Sequence, residues 1–93
     1  MIEIKKRHMV GGTGHEHIAA VKYLNAEGLE KEATRQAMVD WLNKSTSNKA
    51  IVYSRDRNSS ACAYVVTREN APDYIRTKSD SKWTDNLLAL DAY

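Results

Sequence analysis

The run Gly11-Gly12-Thr13-Gly14-His15-Glu16-His17 holds the densest set of chemically useful groups in the chain. Imidazoles donate, accept or gain charge near neutral pH, and glycines let a ligand come close to backbone amides. If this stretch is extended, His15 and His17 project to one face and Glu16 to the other. A hairpin setting Ile2 opposite Tyr23, Ile4 opposite Val21 and His8 opposite His17 would gather three imidazoles, the donor set of some zinc sites. No fourth ligand is evident, and polar turn residues that cap backbone groups explain the same pattern, so no metal or cofactor is assigned. The glycines also suggest a phosphate cradle. They do not match G-x-x-x-x-G-K-[ST], however, and they join two predicted strands rather than opening a helix.

A second set of candidates is basic and aromatic. Tyr74-Ile75-Arg76-Thr77 offers a ring for stacking and a guanidinium for bidentate contact with an anion. With His15 and His17, the residues Tyr74, Arg76 and Thr77 form the candidate ligand-binding set. Both segments are expected to lie close enough to share one polar surface. Arg55 and Arg57 in one loop, with Arg76 and Lys78 in another, form an alternative set suited to nucleic-acid phosphates. Against it, Asp56, Asp73 and Asp80 partly cancel that charge.

Nucleophilic catalysis has little to build on. Cys62 lies in the apolar run Ala61-Cys62-Ala63-Tyr64-Val65, where a buried, inert thiol is expected. The serines fall in polar loops without a G-x-S-x-G context. Asp80, Asp85 and Asp91 read as solvated or capping acids. No catalytic residue is assigned, and the chain leans away from an enzyme.

The elements that must position these groups follow from periodicity. Ile2, Ile4 and Val10 share one parity and Glu3, Lys5 and Arg7 the other, predicting a strand from Met1 to Met9. The glycine run reverses the chain, and His17 to Leu24 returns as a second strand. From Glu30 to Lys44 the period becomes helical, with Ala33, Ala37, Met38, Trp41 and Leu42 on one stripe. Ala50 to Tyr53 and Ala61 to Thr67 predict a second hairpin around a wholly polar loop. Tyr74-Ile75 reads as a short extended piece, Thr77 to Lys82 as open loop, and Leu87 to Leu90 as a turn or strand closing the core. The predicted fold is α+β: a small antiparallel sheet of two β-hairpins with one helix packed on a face (β-β-α-β-β) and an irregular C-terminal extension. Trp41 and Trp83 are its expected core anchors.

Composition bounds the remainder. The 93 residues suit a single domain, 1–93, and 42% apolar with 28% charged residues is ordinary for a globular chain. Fourteen basic against twelve acidic side chains leave a formal charge of +2, too mild to identify a partner. No apolar run follows the basic residues near the start, and none approaches the roughly 20 residues needed to span a bilayer. The single cysteine fits a reducing compartment. A soluble, cytoplasmic protein with no membrane association is expected.

Gly11 to Ile18, then Ala20-Val21, Tyr74 to Thr77 and Asp85-Asn86-Leu87-Leu88-Ala89-Leu90 together resemble a family of small bacterial and phage-borne proteins, domain of unknown function 3892. That family follows its Asp-Asn-Leu motif with a proline near the chain end, where Asp91 stands here. The resemblance implies an accessory protein and carries no catalytic residues. It implies that the Gly-His turn and the Tyr-Ile-Arg-Thr segment are the working surfaces. The reading is a non-enzymatic binding or interaction module with a protein or nucleic-acid partner. The alternative is a nucleic-acid- or phosphate-ligand-binding protein.

Overall fold

The computed structural model describes every residue except Arg55 and Asp80. Alternating side chains make β1 (Ile2–Met9) and β2 (Ile18–Leu24) antiparallel neighbours, as the sequence predicts. Their register differs from the expected one. Ile4 lies opposite Tyr23, Arg7 opposite Val21 and His8 opposite Ala20, with irregularities between Ile4 and Lys6 and between His8 and Met9. The two irregularities offset each other, so Ile4 with Tyr23 and Met9 with Ile18 keep one register, two residues away from the expected one. His8 therefore never meets His17.

The helix is shorter than its periodicity predicts. Glu30–Thr34 is a strand, β3, paired along its length with β2. Asn25 sets up that hairpin, its Oδ1 accepting from the amides of Glu27 at 2.9 Å and Leu29 at 3.0 Å. Gly28 adopts φ +80°, which favours glycine. Strong helix formers at Glu30, Lys31 and Glu32 thus yield to a ladder, since propensity is weaker than pairing. Thr34 then caps α1 (Arg35–Lys44), its Oγ1 accepting from the Ala37 amide at 3.1 Å.

The second half builds a longer meander: β4 (Ala50–Tyr53), β5 (Ser60–Val66), β6 (Tyr74–Ser79) and β7 (Lys82–Thr84). The expected loop from Thr77 to Lys82 is instead the end of β6 and the start of β7, with Ser81 at φ +65° and Asp80 outside the described residues. The fold is α+β, but it is not two small hairpins. Among the described residues the sheet has eight strands in the order β3-β2-β1-β4-β5-β6-β7, with β8 (Asp91–Ala92) beside β1. The two meanders meet where β1 and β4 run parallel, Ile2 opposite Ala50 and Glu3 opposite Ile51. A parallel pair needs a long crossover, and β2, β3 and α1 supply it.

The core forms where α1 covers the sheet. Ile4, Val21, Val52, Ala63 and Ile75 meet Met38 and Val39 of the helix, with Trp41 and Leu42 packed at the margin. Leu87, in the turn after β7, is fully buried, and Asn86 Nδ2 donates to the Val52 carbonyl at 3.4 Å. Trp83 is not a core anchor. It is 45% exposed because β7 presents it to the uncovered side of the sheet. Among the described residues no helix is long and apolar enough to cross a membrane.

Candidate functional site

Cross-strand register decides what each face carries. Ala63 pairs with Thr77 and Val65 with Ile75, and these side chains turn to the core. The opposite parity sets Cys62 against Lys78, Tyr64 against Arg76, and Lys78 against Trp83. Directly opposed residues share a face, so the uncovered side of β5, β6 and β7 is an aromatic and basic ladder. Lys78 Nζ lies 5.3 Å from the Trp83 ring and 6.0 Å from the Tyr64 ring. The Arg76 guanidinium is 5.9 Å from Trp83, and Arg68 is 5.0 Å from Tyr74. Tyr64 is 50% exposed. Cations at these distances are attracted to the ring faces, which orders the side chains while leaving the rings open to solvent.

Arg76 also belongs to a second group. Its Nη2 donates to Asp85 Oδ1 at 3.2 Å, and its Nε to the Thr84 carbonyl at 3.4 Å. The same Asp85 oxygen lies 3.7 Å from His15 Nε2, beyond hydrogen-bond reach. The Gly-His turn and the Tyr74–Thr77 strand therefore converge on one carboxylate, although they are distant in sequence. The His15 side chain is 9% exposed, and its Nε2 has no hydrogen-bond partner. Burial first, and then the Arg76 guanidinium, hold this imidazole below its ordinary pKa, against the opposing pull of Asp85 and Glu16.

His17 does not join that group. His15–His17 forms a single 3-10 turn rather than a strand, so the two imidazoles diverge. The turn is held by the Val10 amide on the His17 carbonyl at 2.9 Å and by Arg35 Nη1 on the Glu16 carbonyl at 2.6 Å. The His17 ring folds over Gly12, where a Cβ would stand 2.5 Å from the ring. His17 lies with Val10, Thr34 and Arg35 around a shallow depression. His8 leaves in another direction, its Nδ1 against the Tyr93 carbonyl oxygen. Among the described residues no group of three or more His, Cys, Asp or Glu side chains is placed to hold a metal ion.

Of the other candidates, Tyr74 lies under Arg68, at the β5-β6 end of the same face. Thr77 is fully buried, its Oγ1 2.6 Å from Thr84 Oγ1, and so is a core hydroxyl rather than a ligand contact. Arg57 is occupied elsewhere, bonded to Glu3 at 3.1 Å and placed 4.2 Å over the Tyr53 ring. Arg55 lies outside the described residues. Cys62 is half-buried and shares the uncovered face with Lys78, so it is not the enclosed thiol expected of an apolar run. Tyr64 and Trp83 were missing from the sequence candidates. Their only signal was parity, and both parities of β5 carry apolar side chains.

A family model described as protein of unknown function DUF3892 matches residues 1–91. The chain belongs to that family. No curated protein and no solved structure matches it. The DUF3892 span takes in both the Gly-His turn and the β5-β6-β7 ladder, and it brings no assigned activity. In this DUF3892 chain the site is therefore defined by its geometry: two half-exposed rings about one lysine, bordered by an arginine bonded to Asp85, whose carboxylate also lies near a buried histidine.

Proposed function

We propose that this chain is a single-domain, non-enzymatic binding module that takes single-stranded nucleic acid across the uncovered face of β5, β6 and β7. The observation that carries this reading is Lys78 between the half-exposed rings of Tyr64 and Trp83. Unpaired bases stack on such rings whatever their identity, while lysine and arginine neutralise the intervening phosphates. Arg76, opposite Tyr64, and Arg68, over Tyr74, extend the positive edge from Lys78 toward the start of β6. With a net charge of only +2, affinity should be modest and strongly weakened by salt. A cytoplasmic location goes with this reading, since the lone Cys62 suits a reducing compartment.

Fluorescence anisotropy with a labelled oligodeoxythymidylate of about ten nucleotides tests it. Trp83→Ala should weaken binding by about 1–3 kcal/mol, the worth of one stacked base, and leave the denaturant midpoint nearly unchanged. Duplex DNA should bind less well than the single strand. Equal affinity for both forms, or an unaltered Trp83→Ala affinity, rules out the stacking face.

A further inference from the structure

We infer that phosphate binding at Arg76 is coupled to uptake of a proton by His15, with Asp85 as the group exchanged between them. The inference rests on the nucleic-acid reading above and adds how that site is regulated. It begins from three placements. Asp85 Oδ1 is 3.2 Å from Arg76 Nη2 and 3.7 Å from His15 Nε2. Asp85 is 75% exposed and can turn, whereas His15 is enclosed by its own turn and β6. His15 Nε2 has no hydrogen-bond partner, an unusual state for a buried polar atom and one that an additional bond would relieve.

In the unliganded protein Arg76 holds Asp85, and burial first, then the guanidinium, opposes charge on His15. A phosphate that engages Arg76 changes both conditions. It neutralises the nearby positive charge, and it competes with Asp85 for the guanidinium. Asp85 would then be a carboxylate left beside a phosphate, a repulsive arrangement. A proton on His15 removes that difficulty, because the imidazolium can donate from Nε2 to the released carboxylate. The charged groups around His15 are Arg76 from β6, Asp85 from the turn after β7 and Glu16 from its own turn. Of these only Arg76 disfavours the imidazolium, and the ligand cancels that one.

Linkage fixes the sign. If the bound complex holds more protons than the free components, affinity rises as pH falls. One proton can contribute at most about tenfold per pH unit. Oligodeoxythymidylate serves as the probe, since neither thymine nor its phosphodiesters titrate between about pH 5.5 and 7.5. Over that range at fixed ionic strength the wild type should tighten by roughly threefold to tenfold. His15→Gln should lose most of this dependence, and His17→Gln should keep it. In the wild type, nuclear magnetic resonance titration of the His15 ring should show a higher pKa with oligonucleotide bound than without it. That measurement needs no variant and decides the matter even if His15→Gln folds poorly. A His15 pKa that does not move on binding, or an equal pH slope in His15→Gln, overturns the coupling while the nucleic-acid reading stands. No oligonucleotide binding at any pH overturns both.

Discussion

Thr77 and His15 are the two buried polar side chains among the described residues, and they differ in how they are satisfied. Thr77 bonds Thr84 Oγ1 at 2.6 Å and the Thr84 carbonyl at 3.3 Å. Thr77→Val keeps the shape but leaves Thr84 without its partner, which should lower stability by about 1–3 kcal/mol in urea denaturation. An unchanged midpoint would show that the hydroxyl pair has no net worth. His15 is instead held neutral inside the fold, its pKa below the ordinary value because of burial and Arg76. The unfolded chain then binds the proton more readily. His15 contributes stability above its unfolded pKa of about 6.5, and that stability is lost as pH falls towards the lower folded value. Thermal denaturation of the unliganded protein should therefore show a declining midpoint below about pH 6.5. The decline should be shallower in His15→Gln, and identical slopes would mean that other groups govern the acid side.

At the scale of elements, the parity of β5 and β6 determines which side chains reach a ligand. Cys62 reports on it, because it is half-buried on the same face as Lys78, its cross-strand partner. The native thiol should react with a small maleimide, more slowly than after denaturation, and bound oligonucleotide should protect it. Labelling that is indifferent to ligand would place the binding surface elsewhere. The sequence reading expected an inert core thiol here, since Ala61, Ala63 and Val65 alternate with residues that are themselves apolar or aromatic. Composition cannot tell the two faces of such a strand apart. A comparable limit hid β3: Glu30-Lys31-Glu32 reads as the start of a helix until the Asn25 turn pairs it with β2.

Across the whole molecule, the segment after β7 returns to the core and then to the first meander, where β8 pairs Asp91 with Lys6 and Ala92 with Arg7. Leu87 is buried at its centre, and Asn86 reaches the Val52 carbonyl. Leu87→Ala should cost about 2–5 kcal/mol by equilibrium denaturation, as for other enclosed leucines. It should also quicken amide exchange in β4, and a loss under about 1 kcal/mol would mean that the turn is not part of the core.

Local signals in the sequence determined β1, β2, β4, β5 and the apolar stripe and C-terminal end of α1, because alternation, the 3.6-residue stripe and turn residues act over a few neighbours. The chain also announced its two unusual segments, Gly11 to His17 and Tyr74 to Thr77. Tertiary structure alone decided that they share Asp85, that Trp83 faces solvent, and that β1 and β4 join the meanders in parallel. The shared Asp85 and the β1-β4 join depend on contacts between residues far apart in the chain, and the exposure of Trp83 depends on which face of the sheet α1 covers. No window of sequence contains both partners of such a pairing, so its energy is not visible until the sheet has closed.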